Sequence, residues 1–343
     1  MKNITIIKPD DWHLHLREGD MMDAVLKDTV NRFKRCIAMP NLKNPIVNWN
    51  IAKKYKNLIE NKSLNKLEVF IPCYLTDNID LLNFEEGIKK KYFVGAKLYP
   101  VNSTTNSNFG VNKIENIFPA LEILEKNNAP LLIHGEKVNP NISIFDREKY
   151  FIDEELYEIT KRFQNLKIVL EHISSSYGAD YVAQSNLNIA STITLHHLIL
   201  TKKDVFNGEI NPDNYCMPVV KDENDLITLR KYACSGNKKF FLGTDSAPHD
   251  SIFKKNDNFV QPGIFTSPVS IEMYASVFEE ENALDKLEKF SSINGAEFYN
   301  LPQNKELLNL IKKDWINSEF TNHKELKIKN FMGGNKIKWK ILN

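Results

Sequence analysis

The residues of this chain that could do chemistry begin with Asp11-Trp12-His13-Leu14-His15-Leu16-Arg17. An apolar run, Ile4-Thr5-Ile6-Ile7, leads into them and predicts extended backbone. In a strand, residues i and i+2 point to the same side. His13 and His15 then aim two imidazoles at one point, with Arg17 following on that side. Converging neutral imidazoles suit zinc and related ions. Taken alone, such a pair suits packing or a surface role as well. What separates these readings is the set of residues that end the later apolar runs. They are Met39-Pro40-Asn41, Gly95-Ala96-Lys97-Leu98-Tyr99-Pro100, Ile133-His134-Gly135-Glu136, Leu170-Glu171-His172 and Gly243-Thr244-Asp245-Ser246-Ala247-Pro248-His249.

Those runs are the elements that must position the polar groups. Strands are expected near Ile4–Leu16, Arg35–Pro40, Leu67–Leu75, Val94–Tyr99, Pro130–Gly135, Lys167–His172, Ile189–Leu195 and Lys239–Gly243. Amphipathic stretches lie between most of them, at about Met22–Arg32, Trp49–Asn61, Leu81–Lys90, Val111–Asn127, Asp153–Phe163 and Glu223–Gly236. Strands alternating with helices predict an α/β fold with a parallel sheet, and eight repeats suit a closed (β/α)8 TIM barrel. Barrel enzymes build their sites at the carboxyl ends of the strands. Four histidines, a lysine and an aspartate at that level are hard to assign to packing. Further helices are expected over Pro268–Glu280, Asn282–Phe290 and Ser292–Tyr299. The stretch Lys324–Leu342 has short β-like pieces, and the chain is expected to divide into a barrel, residues 1–300, and a short C-terminal appendage, 301–343.

Composition narrows the function classes. The chain has 343 residues, 45 basic against 44 acidic, for a net charge of +1, so nothing commits it electrostatically to nucleic acid or an anionic membrane. It has no basic stripe with interleaved aromatics, no run long enough to span a bilayer and no signal-peptide layout at Met1. Cys36, Cys73, Cys216 and Cys234 are widely spaced, which predicts reduced thiols in a cytoplasmic protein.

With these residues in place, the chain resembles the amidohydrolase superfamily: His-x-His on strand one, lysine on strand four, histidines on strands five and six, aspartate on strand eight. Asp-Trp-His-Leu-His-Leu-Arg, Ala-Met-Pro-Asn, Gly-Ala-Lys-Leu-Tyr-Pro, Ser-Thr-Thr-Asn-Ser, Tyr-Cys-Met-Pro and Gly-Thr-Asp-Ser-Ala-Pro-His narrow the likeness to the shorter bacterial dihydroorotases, from about residue 3 to residue 301. The resemblance implies two divalent metal ions, usually zinc. His13, His15 and Asp245 would hold one and His134 and His172 the other. Lys97 would bridge them after N6-carboxylation by carbon dioxide. An ammonium cannot ligate a cation, whereas a carbamate is an anionic oxygen ligand. The implied reaction interconverts N-carbamoyl-L-aspartate and L-dihydroorotate in pyrimidine biosynthesis. Hydroxide activated by the two ions is the nucleophile, and Asp245 is the general acid and base.

The resemblance also places Arg17, Asn41 and His249 on the substrate carboxylate, and backbone near Met217 and Pro262 on the ring. Arg17 can bind a carboxylate through two N–H groups. Thr104 and Thr105, in the polar loop Asn102–Gly110, would close over the substrate as a lid. Ser251–Gln261 departs from the family's usual loop, and Pro262 stands where alanine is expected. His196 and His197 read as supporting or packing residues, and Cys216 as wall. A homodimer is implied. The rival readings are another cyclic-amide hydrolase, such as a hydantoinase, dihydropyrimidinase or allantoinase, which needs no carboxylate clamp, and a non-catalytic relative, which would have lost ligands.

Overall fold

Pro9 divides the N-terminal apolar run, because it has no N–H to give to a ladder. The computed structural model describes residues 2–254 and 259–342. It has β1 at Asn3–Ile7 and β2 at Asp10–Leu14. The two pieces join different sheets, so the one strand expected over Ile4–Leu16 is two.

The barrel strands after β2 are β3 (Arg35–Ala38), β4 (Glu68–Phe70), β5 (Cys73–Tyr74), β6 (Ala96–Leu98), β7 (Leu131–His134), β8 (Ile168–Glu171), β9 (Ile189–Ile193) and β10 (Phe240–Leu242). All neighbours pair in parallel, in the runs β2–β3–β4 and β5–β6–β7–β8–β9–β10. The β4 and β5 pieces are halves of one expected strand. Pro72 interrupts it, while Val94 N still donates to Ile71 O at 3.0 Å. Closure comes from Asp245 N donating to His13 O at 2.8 Å and His15 N donating to Ser246 O at 3.0 Å. The circle therefore shuts on the residues singled out for chemistry. The fold is the (β/α)8 TIM barrel.

Period-two alternation sorts side chains into an inner and an outer layer. Leu132, Val169, Ala190 and Phe241 belong to one apolar cluster with Trp12, Ile37 and Met39. Their strand neighbours Leu131, Ile133, Ile168, Leu170, Ile189, Phe240 and Leu242 belong to the larger cluster that includes the helices. Two residues beyond the inner positions come His134, Glu171 and Gly243. A side chain at Gly243 would lie 2.7 Å from Thr192 and 3.1 Å from His13, so only glycine lets β9 and β2 approach there.

Helices cover the barrel at Gly19–Arg32, Trp49–Lys62, Leu81–Lys89, Phe118–Lys126 and Glu223–Ala233. The helix expected from Asp153 begins at Arg147 and passes through a π-helical turn at Ile152–Leu156. A helix at Ser176–Gln184 was not legible in the pattern; its start is capped by Ser175 Oγ, which accepts from Gly178 N at 3.0 Å. Ser270–Glu280 forms as expected.

The C-terminal structure begins well before Lys324. Strand β11 (Leu307–Ile316) pairs antiparallel with both β1 and β14 (Lys336–Ile341). Leu308, Leu310, Ile337 and Trp339 are buried while the residues between them face outward. A hairpin, β12 (Phe320–His323) and β13 (Leu326–Lys329), reaches the loops after β10. Ile328 bridges to Asp250, and Phe331 N donates to Phe265 O at 2.9 Å. Among the described residues, no helix is long and apolar enough to cross a membrane.

Candidate active site

Four irregularities in and after the strand ends bring the polar side chains together. The β2–β3 register shifts between Asp11 and Leu14, so both Trp12 and His13 pack inside. Alternation from Val169 aims Glu171 inward and would send His172 outward. A left-handed backbone at His172 (φ 42°) turns it back, and Asp245 (φ 47°) and Arg17 (φ 59°) share that conformation. Such backbone costs a non-glycine residue about 1–3 kcal/mol and persists where the surroundings fix it. Here His172 N donates to Thr192 Oγ1 at 2.7 Å, and Arg17 O accepts from Tyr55 OH at 2.7 Å.

Asp11 fastens the first and last barrel strands. Its carboxylate accepts from Thr244 N at 2.9 Å, Thr244 Oγ1 at 2.6 Å and His13 N at 3.2 Å. Burial lifts its carboxyl to about 7 against those three donors.

Most of the sequence-predicted residues converge on one cavity. His13, His15, His134, His172 and Asp245 line it together with Arg17, Asn41, Thr104, Thr105, Met217 and Pro262. Lys97 lies fully buried beneath it, its ammonium on Glu171 Oε2. His249 stands beside Arg17, with Nε2 at 3.1 Å from Arg17 Nη2. Ligand atoms of His13, His15 and Asp245 all lie within 4.8 Å of one another. Asp245 Oδ1 is 3.0 Å from His15 Nε2 and 3.3 Å from His13 Nε2. On the other side, His134 Nδ1 is 3.2 Å from His172 Nε2.

Protonation follows from this geometry. Burial and Arg17 hold His15 down to about 4, in the neutral form that ligates. Burial, with His134 and His13 nearby, holds His172 well below its ordinary value. Burial also opposes charge on His13, but Glu171 and Asp245 outweigh it and lift the group to about 9. Asp245 resists burial through His13 and His15, which keep its carboxyl well below the usual range. Burial lowers Lys97 despite Glu171.

Two carboxylates went unread as site residues. Glu136 Oε2 sits 2.8 Å from His134 Nε2; when Nε2 carries the proton, Nδ1 is left bare toward His172. Glu171 Oε1 lies 2.9 Å from His13 Nδ1 and, through its other oxygen, holds Lys97. The signal for Glu171 was the inward count from Val169. Metal-bound histidines are typically oriented by such carboxylates, whose loss costs about 10–100-fold in metal affinity. Glu171→Gln should weaken zinc binding by that factor in a competitive chelator titration; unchanged affinity would leave Glu171 a plain packing residue.

The loop Asn102–Gly110 lies over the cavity. Asn41 Nδ2 donates to Thr105 O at 2.9 Å, Asn106 Nδ2 donates to Asn41 O at 2.9 Å, and Tyr74 OH donates to Asn106 O at 3.1 Å. Gln261, from the divergent segment, donates to Thr105 Oγ1 at 2.5 Å. Residues 255–258 of that segment lie outside the described residues. The donor set fits divalent ions: the neutral imidazoles of His15 and His172 and the ionised Asp245 carboxylate line one space with His13, and His15 Nδ1 and His172 Nδ1 have no partner among the described residues.

Comparison with known proteins agrees with the geometry. The model of the amidohydrolase family matches residues 5–319. A dihydroorotase from Buchnera aphidicola subsp. Acyrthosiphon pisum is 43% identical over 345 residues, covering 99% of this chain and 98% of that one. The crystal structure of a dihydroorotase from Saccharomyces cerevisiae, in complex with 5-fluoroorotic acid, superposes with a TM-score of 0.93 at 32% identity, covering 100% of this chain and 99% of that one. An L-hydantoinase from Arthrobacter aurescens shares the fold at a TM-score of 0.80 and 15% identity, covering 99% of this chain and 83% of that one. The chain is thus a hydrolase of cyclic amides that belongs to the metal-dependent amidohydrolase family, among the dihydroorotases.

Proposed function

We propose that the protein catalyses the reversible cyclisation of N-carbamoyl-L-aspartate to L-dihydroorotate, with Lys97 carried as its N6-carboxylate. The observation that carries this reading is one cavity lined by His13, His15, His134, His172 and Asp245 and also by Arg17. His13, His15 and Asp245 would hold one divalent ion and His134 and His172 the other, with the carboxylated Lys97 shared and zinc the ion that suits the donors. Bound there, the ions supply a water acidified toward neutral pH and polarise the reacting carbonyl.

The chain's own groups do the rest. Asp245, ionised at neutral pH, accepts the attacking water's proton and delivers it to the ring nitrogen as the amide bond opens. In cyclisation it takes that proton back from the nitrogen. Arg17 supplies N–H groups to the substrate carboxylate, with Asn41 and His249 beside it. Backbone at Met217 and Pro262 meets the ring, and Thr104 and Thr105 cover it and exclude water. The yeast relative's 5-fluoroorotic acid, a pyrimidine carboxylate, supports a clamp of this kind. In this reading residues 1–300 are the catalytic unit and 301–343 brace it; a homodimer and a cytoplasmic location belong to the same reading.

Loss of L-dihydroorotate, followed before and after metal is stripped with a chelator, tests the proposal. Turnover should disappear on stripping and return with zinc. A zinc-loaded protein that ignores L-dihydroorotate and opens hydantoin or dihydrouracil instead would be a different cyclic-amide hydrolase.

A further inference from the structure

Beyond β9, His196 and His197 sit in a short 3-10 turn, His196–Leu198, and Cys216 comes to them from the segment before β10. All three are buried. Neither ring nitrogen of His196 has a hydrogen-bond partner among the described residues. A buried imidazole left so forfeits the hydration of both nitrogens, which marks a place for a polar or cationic occupant. Ligand atoms of His196, His197 and Cys216 all lie within 4.8 Å of one another.

We propose that His196, His197 and Cys216 hold a further metal ion, a thiophilic cation of the Zn2+ class, at a site separate from the His13–His172 centre. Mixed imidazole and thiolate donors select zinc and softer ions over magnesium or calcium. Bond lengths of about 2.0–2.3 Å put donors around one ion roughly 3.5 Å apart, so the cluster needs only a small contraction. His197 has its orienting partner already. Its Nδ1 is 2.7 Å from Thr194 Oγ1 and its Nε2 3.1 Å from Pro218 O. Ligation through Nε2 requires the ring proton, which Nε2 now donates to Pro218 O, to move to Nδ1, where Thr194 Oγ1 turns from donor to acceptor and holds it, the usual arrangement for a metal-bound histidine. The Cys216 thiol also donates to Pro218 O, at 3.2 Å. On binding, its S–H bond breaks, the sulfur–metal bond forms and the proton leaves to solvent. Met217 lies between Cys216 and Pro218 and lines the active-site cavity, so an ion here fixes part of that wall.

The full-length protein saturated with Co2+ tests this, because the His13–His172 centre contains no sulfur. A thiolate-to-cobalt charge-transfer band is expected in the near ultraviolet, displaced by Zn2+. Cys216→Ser should abolish the band and bind one ion fewer by elemental analysis, with circular dichroism checking the fold. His196→Asn should weaken the band. Should Cys216→Ser fail to fold, the wild-type band and its weakening in His196→Asn decide. No band in the wild type, a band that survives Cys216→Ser, or an unchanged metal count in that variant would overturn the site.

Discussion

Lys97→Ala is expected to cut turnover of L-dihydroorotate by about 10³-fold or more and to lower the metal content of the purified protein. Lys97 is fully buried in the middle of β6, its amine on Glu171, where no solvent reaches it. An ammonium at that point repels divalent ions. Burial favours the neutral amine, whose lone pair is the form that adds carbon dioxide, while Glu171 pulls the other way. The carboxylation proposed above would convert the obstacle into an anion that both ions can share. Metal-ion catalysis is worth several kcal/mol of charge stabilisation, and about 4 kcal/mol is about 10³-fold in rate. Lys97→Arg separates charge from chemistry, because a guanidinium stays cationic and cannot be carboxylated. It should be as inactive as Lys97→Ala and bind metal less well. Turnover within tenfold of the wild type in metal-loaded Lys97→Ala would remove the lysine from the mechanism.

Much of this arrangement is legible in the sequence, for a definite reason. The inner and outer layers of a barrel impose period two on each strand, so His134 and Lys97 announce their direction by counting from apolar neighbours. His13 and His15 are legible as a pair because their spacing matches that period. The family words then identify Asp245 and Arg17. Where the backbone leaves the regular strand, counting fails. His172 and Asp245 reach the cavity through left-handed residues, and His13 through a register shift, none of which leaves a mark in residue types. Glu171 is the opposite case: it obeys the alternation, but a glutamate's residue type alone does not separate a carboxylate that orients a histidine from one that braces a strand end. Long-range pairing is the other blind spot. That β1 would leave the barrel for β11, some three hundred residues away, depends on Pro9 and on a partner strand whose alternation begins at Leu308. The Gln261 contact to Thr105 depends on two loops whose mutual approach no local pattern encodes.

Arg17→Met is expected to lower kcat/KM for L-dihydroorotate by about 10²–10³-fold, mostly through KM, while zinc content stays unchanged. Arg17 sits just past β2 in a left-handed conformation, with its carbonyl held by Tyr55. Two of its N–H groups are engaged: Nε with Pro248 O at 3.4 Å, and Nη2 with His249 at 3.1 Å. A guanidinium has five donors, so a pair remains for a carboxylate. Burial and Arg17 hold His249 well below its ordinary value, and its neutral Nε2 accepts from the arginine and aims it. Truncating one partner of a desolvated charge pair costs about 2–5 kcal/mol, and about 3–4 kcal/mol corresponds to the predicted factor. Arg17→Lys keeps the charge but loses the fork, so it should fall between the two. Dihydrouracil, the same ring without the carboxylate, supplies the internal control. The methionine variant should open it at least as fast as the wild type, because its ring and reacting carbonyl lose nothing. Parallel loss on both substrates would mean that Arg17 serves the reacting centre, and the choice of L-dihydroorotate over an uncharged cyclic amide would then have to come from Asn41 and His249 instead.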